Sequence, residues 1–277
     1  MRGFFIALVF FTATPILISI QWLLDRLKLP GWGFICCNYY RFLCRLLRIR
    51  VRIVGAPVRD RAVLFVSNHV SWLDIVVIGS VLPVAFVAKS EVRKWPLVGI
   101  TAVRQRTVFV DRNRRHQAAD AVAQIVDRLQ DGTPVVLFAE GTSSDGNRVL
   151  PFRSALLGTV EMATTQMPEP LSIQPMAIAY TNQHGIPLGR QRRPLAAWYG
   201  DLDFMPHIRT IIERTALDAE VSYGAPVPAA GSIGRKALTT HLERTTRRLF
   251  AETLRRRPLG RAVPQRGRRF LFGSAGL

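Results

Sequence analysis

The chain has 277 residues, 48% of them hydrophobic, and carries a formal net charge of +19 at neutral pH. That length suits one sizeable domain with an appendage, and such a charge calls for a polyanionic partner, either nucleic acid or an anionic lipid surface. The three cysteines, Cys36, Cys37 and Cys44, lie in one short region without Cys-x-x-Cys spacing, which argues against a disulfide framework or a zinc site.

The first predicted element is an apolar helix. Residues 3–24 contain no charged side chain. As a helix they would rise about 33 Å, enough to cross the roughly 30 Å hydrocarbon core of a bilayer. No small-residue cleavage site follows, and more apolar sequence comes directly after, which disfavours a signal peptide. Pro15 would kink this helix, so an interfacial or re-entrant arrangement stays open beside a full membrane span.

A second apolar and aromatic segment covers residues 32–47, with Arg41, Arg45 and Arg48 on one side. This pattern predicts an amphipathic helix that lies against the bilayer with its arginines reaching lipid phosphates. An ordinary helix facing a protein core is the alternative. We therefore expect residues 1–48 to form an N-terminal membrane helix or two-helix membrane anchor.

From residue 49 onwards, strand-like and helical patterns alternate. Strands are predicted at Val51–Val54, Val63–Val66, Val84–Ala88, Thr107–Val110, Val135–Ala139 and Ile173–Ala179. Helices are predicted at Trp72–Leu82, Arg114–Gln130, Ala155–Thr165, Ile208–Thr215 and Arg235–Arg255. Such alternation is typical of an α/β domain with a mostly parallel central sheet flanked by helices, here residues 49–256. Ligands of such sheets bind beyond the carboxyl ends of the strands.

The last 21 residues, 257–277, are rich in arginine and contain no acidic residue. This composition predicts a disordered basic tail, which anionic lipid would attract by about 1 kcal/mol per basic residue near the surface. A nucleic-acid-binding tail is the rival hypothesis. No recognisable nucleic-acid-binding pattern accompanies it, and an apolar segment opens the chain, so lipid is the preferred partner.

A histidine and an aspartate lie at the turn after the second predicted strand. His69 would sit between strand and helix, with Asp74 about one helical turn further on. A carboxylate there can reach one imidazole nitrogen, fix the tautomer and leave the other nitrogen free to take a proton. Without a serine nucleophile, such a pair suits the activation of a substrate hydroxyl. A purely structural contact is the alternative, because this spacing is common by chance.

Polar clusters also follow two later strands. Asp111 and Arg112 end one of them, and Arg112 can either grip a phosphate with two hydrogen bonds or pair with Asp111. Glu140 and Gly141 end the next, where Gly141 permits a tight turn and Glu140 can bind an acceptor hydroxyl or hold Arg112. Together with His69, these clusters lie at equivalent strand ends and are expected to converge on one cleft.

Four motifs in this order resemble the 1-acylglycerol-3-phosphate acyltransferase superfamily of glycerolipid and lysophospholipid acyltransferases. They are Asn68-His69-x4-Asp74, Phe109-Val110-Asp111-Arg112, Phe138-Ala139-Glu140-Gly141-Thr142 and a strand containing Pro175. The resemblance implies acyl transfer from acyl-CoA or acyl-carrier protein to a lysolipid hydroxyl, with no cofactor. It makes His69 the general base and Asp74 its orienting partner. A thioester is already activated, so no covalent enzyme intermediate is required.

The resemblance assigns the acceptor headgroup site to Arg112, Glu140, Gly141 and Thr142. Phosphatidate-forming members usually carry an arginine directly after the Glu-Gly-Thr triplet, whereas this chain has Ser143. Arg148 or Arg153, in the loop that follows, is the candidate to replace that arginine. The departure bears on the acceptor and leaves the reaction type unaffected.

The leading expectation is a membrane-bound enzyme that acylates 1-acyl-sn-glycerol-3-phosphate to phosphatidate, in phospholipid biosynthesis. A lyso-ornithine lipid O-acyltransferase is the alternative, since Ser143 and the segments 89–92 and 105–112 also resemble that branch. The expected location is the bacterial inner membrane, with the catalytic domain in the cytoplasm. Two non-enzymatic hypotheses are a basic membrane-binding protein, which the intact His69–Asp74 spacing disfavours, and a nucleic-acid-binding protein, which only the charge suggests.

Overall fold

The computed structural model describes residues 2–59, 62–110, 117–167, 171–214, 216–228 and 234–256. The predictions for Asp111, Arg112 and the basic tail fall outside these residues. The helices are α1 (Arg2–Arg26), α2 (Trp32–Leu46), α3 (Leu73–Val81), α4 (Val98–Arg104), α5 (Gln117–Gln130), α6 (Ser154–Gln166), α7 (Gly189–Arg192), α8 (Phe204–Arg214) and α9 (Arg235–Arg255). The strands are β1 (Arg50–Val54), β2 (Val63–Ser67), β3 (Ala85–Lys89), β4 (Val108–Val110), β5 (Val135–Phe138), β6 (Ser172–Gln183), β7 (Ile186–Pro187), β8 (Leu217–Tyr223) and β9 (Val227–Pro228).

The strands form one sheet in the order β1-β8-β6-β2-β5-β3-β4, and β7 and β9 also pair with β6. β2 runs parallel to β5 and β6, and β3 runs parallel to β5 and β4. β8 runs antiparallel to β6 and parallel to β1. The predicted α/β fold with a mostly parallel sheet is confirmed, and β8 is a strand that the sequence patterns did not predict.

Helices cover both faces of the sheet, and the strand residues alternate between them. In β2, Val63 and Phe65 belong to the core shared with α2, α3 and α8, whereas Leu64 and Val66 belong to the core shared with α5, α6 and α9. Each of these four residues is at most 1% exposed. This double burial is why the central strands consist of unbroken apolar runs rather than alternating apolar and polar residues.

Buried acidic residues on β8 form ion pairs with arginines at this edge of the sheet. Asp218 accepts two hydrogen bonds from the Arg50 guanidinium on β1, at 2.5 and 2.8 Å. Glu220 pairs with Arg52 on β1 at 3.2 Å and with Arg256, which follows α9, at 2.5 Å. Because both carboxylates are almost fully buried, these partners offset the cost of removing them from water.

α1 presents Ile6 and two polar residues to the protein, and a row of large apolar residues outward. Thr14 hydrogen-bonds the Tyr39 hydroxyl of α2 at 3.0 Å, and Gln21 donates to the Cys36 sulfur at 3.1 Å. The outward side chains are large and apolar: Phe4, Phe5, Leu8, Phe11, Ile16, Ile20, Trp22 and Leu23. The helix is long and apolar enough to cross a membrane, as predicted for residues 3–24.

α2 places its apolar face in the protein core. Tyr40, Leu43 and Cys44 are buried there, beside α3. The two helices approach closely, since a Cβ atom added to Gly79 of α3 would lie 2.6 Å from the Tyr40 ring. Arg41, expected to reach lipid phosphates, donates its Nε–H to the Ser80 carbonyl of α3 at 3.0 Å. This face of α2 therefore corresponds to the core-facing alternative.

Candidate active site

The turn between β2 and α3 is held against the neighbouring strand β6. The Asn68 side chain donates to the Ile178 carbonyl at 3.0 Å and accepts from the Ile178 N–H at 2.9 Å. β6 can make both bonds because it continues past the last residue of β2, Ser67, which pairs with Met176. The backbone around His69 is therefore fixed relative to the sheet.

His69 and Asp74 form the predicted pair. The Nδ1 atom of His69 lies 2.8 Å from Oδ2 of Asp74. The same oxygen accepts the backbone N–H groups of Val70 and Ser71 at 2.7 and 3.1 Å, and Oδ1 accepts the Tyr180 hydroxyl at 2.8 Å. Asp74 is fully buried, so all of its hydrogen bonds come from protein groups. These four donors fix the orientation of the carboxylate.

The His69 imidazole is supported on one side by aromatic rings. It stacks on Phe138 with centroids 4.1 Å apart and planes inclined by 22°, and Phe138 stacks in turn on Phe86. The His69 side chain is 20% exposed. Since Asp74 occupies Nδ1, Nε2 is the nitrogen left for a substrate, and it has no hydrogen-bond partner among the described residues.

The Glu140–Gly141 turn lies beneath His69. Glu140 is 1% exposed, and its Oε1 accepts the backbone N–H of His69 at 3.2 Å. Burial raises the pKa of Glu140 to about 8, and the His69 N–H opposes that rise only in part. Gly141 has a φ of +70°, and a Cβ atom there would lie 2.9 Å from Cδ of Arg153. Glu140 thus contacts the His69 backbone, and its predicted role in acceptor binding stays a prediction.

We expect Glu140 to make the protein less stable as the pH rises. The folded protein keeps a proton on Glu140 up to about pH 8, whereas the unfolded chain loses it near its ordinary value of 4.5. Between these values the free energy of unfolding should fall by up to about 1.4 kcal/mol per pH unit. Urea unfolding in detergent from pH 5 to 8 measures this slope. The Glu140→Gln variant should show a flatter slope, and an unchanged slope would contradict the assignment.

The other predicted acceptor residues take different positions. Thr142 is exposed in the turn after Gly141. Arg153 is also exposed, and its Nε donates to the Glu140 carbonyl at 3.2 Å, so its guanidinium lies beside the turn. Arg148 is exposed in the preceding loop and, among the described residues, has no hydrogen bond or ion pair with His69, Asp74 or Glu140. Arg112 falls outside the described residues.

A later segment, which the sequence patterns did not single out, closes one side of the site. The Trp198 N–H donates to the Val70 carbonyl at 3.0 Å, and the Trp198 carbonyl accepts the Ser143 hydroxyl. The Ser144 N–H donates to the His69 carbonyl at 2.9 Å. Ser143, at the position where an arginine is usual, therefore connects the Glu140 turn to Trp198.

Further aromatic residues lie next to Trp198. The Phe204 ring lies 5.4 Å from Trp198 and 4.6 Å from Trp95, and Trp72 lies 5.9 Å from Phe204. The Trp72 indole N–H donates to Nδ1 of His207 at 3.0 Å. Trp72 belongs to the sequence between His69 and Asp74, so the cluster connects that motif to α8. Its members are far apart in sequence and carry no local signal.

This arrangement provides a histidine with an oriented ring, a buried carboxylate partner and an accessible second nitrogen. Such a pair can remove a proton from a hydroxyl group as that hydroxyl attacks an activated carbonyl. Within the described residues, no three His, Cys, Asp or Glu side chains are grouped to hold a metal ion. The three cysteines are buried free thiols, and burial raises the pKa of each, which disfavours the thiolate form of a nucleophile.

The chain has relatives among known acyltransferases. The sequence profile of the family described as Acyltransferase matches residues 48–179. A Brucella abortus protein named lyso-ornithine lipid O-acyltransferase is 45% identical over 90% of this chain and 92% of its own length. A Rhizobium meliloti protein of the same name is 40% identical over 92% of this chain and 86% of its own. A Neisseria gonorrhoeae protein named 1-acyl-sn-glycerol-3-phosphate acyltransferase is 31% identical over 71% of this chain and 72% of its own.

A solved structure has the same fold. The crystal structure of the 1-acyl-sn-glycerophosphate (LPA) acyltransferase PlsC from Thermotoga maritima superposes with a TM-score of 0.64. The alignment covers 92% of this chain and 94% of that one, at 24% identity. The family profile and the relatives that match over most of their length show that the chain belongs to the acyltransferase family.

Proposed function

We propose that this acyltransferase moves an acyl chain from an acyl thioester to the free hydroxyl of a lysolipid, and that its acceptor is a lyso-ornithine lipid. The main support for this reaction is the 2.8 Å contact between His69 Nδ1 and the buried Asp74 carboxylate. This contact fixes the tautomer in which Nε2 is the basic nitrogen. Acyl-CoA or acyl-carrier protein supplies the acyl group as a substrate.

In the proposed reaction, His69 Nε2 takes the proton of the acceptor hydroxyl while the hydroxyl oxygen bonds to the thioester carbonyl carbon. The resulting tetrahedral intermediate collapses, the carbon–sulfur bond breaks, and the thiol leaves with the proton from the imidazolium. Asp74 stabilises that imidazolium through Nδ1. The ester is formed with no covalent bond between acyl group and protein, and the histidine returns to its neutral state.

This assignment makes lyso-ornithine lipid the first candidate acceptor, whereas the sequence alone favoured 1-acyl-sn-glycerol-3-phosphate. It is supported by relatives named lyso-ornithine lipid O-acyltransferase at 45% and 40% identity. It is also supported by Ser143, whose hydroxyl bonds the Trp198 carbonyl where an arginine would otherwise meet a phosphate. An ornithine headgroup carries a carboxylate and an amine instead of a phosphate monoester. Arg153, beside the Glu140–Gly141 turn, is a candidate partner for that carboxylate, and Thr142, Arg148 and Arg112 remain candidates for the rest of the headgroup.

1-Acyl-sn-glycerol-3-phosphate is the second candidate acceptor. The observation that favours it is the Neisseria gonorrhoeae relative named for that substrate. With this acceptor, Arg153, Arg148 or Arg112 would have to supply the phosphate contacts that Ser143 cannot. The product would be phosphatidate.

An acceptor panel tests the proposal. Purified protein in detergent receives an acyl thioester with lyso-ornithine lipid, 1-acylglycerol-3-phosphate or lysophosphatidylcholine, and thiol release is followed. We expect lyso-ornithine lipid to give the highest kcat/KM, and the His69→Ala variant to provide the blank for each acceptor. A higher kcat/KM for the phosphate monoester would overturn the acceptor assignment. Thiol release that does not depend on any acceptor would overturn the proposed transfer.

The proposal places the enzyme on a bilayer with anionic headgroups, on the cytoplasmic side of the bacterial inner membrane, where acyl thioesters are made. The outward apolar face of α1 and the net charge of +19 support it. Exposed apolar side chains also occur on α4, where Ile100 is 50% and Val103 45% exposed, next to the end of α1. The lysolipid would then reach His69 from the membrane, and nucleic acid has no part in the proposal.

A further inference from the structure

One hydroxyl group contacts the His69–Asp74 pair from a separate part of the fold. Tyr180 lies on β6, is 3% exposed, and donates its hydroxyl hydrogen to Oδ1 of Asp74 at 2.8 Å. The reaction described above moves no proton through Tyr180. Its hydroxyl is nevertheless the single donor that reaches Oδ1 from within the described residues, whereas Oδ2 has three.

We propose that Tyr180 is a positioning residue for catalysis, whose hydroxyl fixes the rotation of the Asp74 carboxylate so that Oδ2 faces His69 Nδ1. The inference rests on the proposed function, in which Asp74 orients the general base. Tyr180 does not touch the reacting atoms and acts on them through Asp74.

The argument depends on where each donor comes from. The Val70 and Ser71 N–H groups belong to the same turn as His69 and both donate to Oδ2, so neither of them holds Oδ1. Tyr180 comes from β6, where it pairs with Ala219 of β8. Two residues earlier on β6, Ile178 makes both bonds to Asn68, so one strand supports the turn at two points.

Among the described residues, Tyr180 is the one donor within hydrogen-bond distance of Asp74 Oδ1. Oδ1 lies in a fully buried side chain, and a carboxylate oxygen there without a donor is strongly disfavoured. The titratable groups near Asp74 and Tyr180 are His69 in the turn itself, Glu140 after β5 and Cys44 on α2. The Cys44 thiol lies against the Val76 carbonyl. Burial raises the pKa of Tyr180 well above its ordinary value, so the hydroxyl stays protonated across the working pH range.

The Tyr180→Phe variant tests the proposal, because it removes the hydroxyl and keeps the ring. We expect kcat to fall by about tenfold to a hundredfold, the size of one lost hydrogen bond to a charged group, with KM for both substrates within about twofold. Without the Tyr180 donor, the Asp74 carboxylate can rotate and the contact between its Oδ2 and His69 Nδ1 loosens, so the loss should fall on kcat.

Tyr223→Phe is the matched control. Tyr223 is 6% exposed on the adjacent strand β8, and its hydroxyl has no hydrogen-bond partner among the described residues. This variant should keep the kcat and the pH profile of the unaltered protein. Thermal unfolding of both variants separates a loss of fold from a loss of positioning.

The NMR signal of the proton between His69 Nδ1 and Asp74 Oδ2, recorded in detergent, gives a readout that does not require activity. An upfield shift or a broadening of this signal in Tyr180→Phe but not in Tyr223→Phe would support the proposal. The same signal in both variants, or an unchanged kcat in Tyr180→Phe, would overturn it. If the unaltered protein transfers no acyl group to any acceptor, the proposed function fails, and this signal still decides whether Tyr180 positions the pair.

Discussion

The His69→Ala variant is expected to lose acyl transfer by about a thousandfold or more, within the range that a general base contributes. The imidazole is partly exposed and its ring contact is with Phe138, so its removal should leave the fold intact. Thiol release in the presence of acceptor measures the loss, and flotation with lipid vesicles checks that the variant still associates with membranes. The thioester should still bind, because the proposed role of His69 is to take a proton.

His241→Ala is the matched control for this result. His241 is exposed on α9, and replacing it removes an imidazole without touching the site. It should retain full activity. If His69→Ala instead kept activity within a few-fold of the control, His69 would not be the base, and the 2.8 Å contact with Asp74 would have a structural role only.

The Asp74→Asn variant is expected to lose activity by about a thousandfold while keeping most of its stability, because Asn can replace Asp in the hydrogen-bond network but has no charge. Its amide oxygen can accept the three donors that now meet Oδ2, and its amide N–H can donate to the Tyr180 oxygen. What is lost is the stabilisation of the imidazolium that forms when His69 takes the proton. Thiol release measures the effect.

Asp74→Ala provides the contrast. It leaves the buried N–H groups of Val70 and Ser71 and the Tyr180 hydroxyl without their acceptor, at about 1–3 kcal/mol for each unpaired group. Urea unfolding should therefore show a clear loss of stability for Asp74→Ala and a small one for Asp74→Asn. Near-normal transfer by Asp74→Asn would mean that the carboxylate charge plays no part in the reaction.

Local sequence was enough to predict the pair itself. An apolar strand, a short polar turn and an apolar helix place Asp74 one turn beyond His69, and the contact depends on few other residues. The Tyr180 contribution could not be found in this way. It is 106 residues from Asp74 in sequence, and its contact depends on β6 lying beside β2 and extending past its end.

β8 was not predicted, although its residues alternate regularly between apolar and polar over the first five positions. Leu217, Ala219 and Val221 alternate with Asp218 and Glu220, a pattern typical of a strand with one side in water. Both sides are buried, however, because arginines on β1 and after α9 pair with the two acids. The partners of a buried acid are brought to it by the fold, and a single sequence does not show them.

The burial of Glu140 could not be predicted from the sequence either. Its motif predicted either contact with the acceptor hydroxyl or a hold on a neighbouring arginine, but not its burial against the backbone of His69. A sequence motif gives the order of residues along the chain, but the direction of a side chain at the end of a strand depends on which elements cover that end.

The contacts along α1 have a consequence for how a substrate could approach. Gly3 lies near Ile212 of α8 at one end of the helix, Thr14 meets Tyr39 in the middle, and Asp25 pairs with Arg104 at the other end. Because these contacts are spread along its length, the helix keeps a constant angle to the rest of the molecule. Once lipid covers its outer side, the tilt and height of the reaction centre above the lipid are set by the rigid shape of the protein.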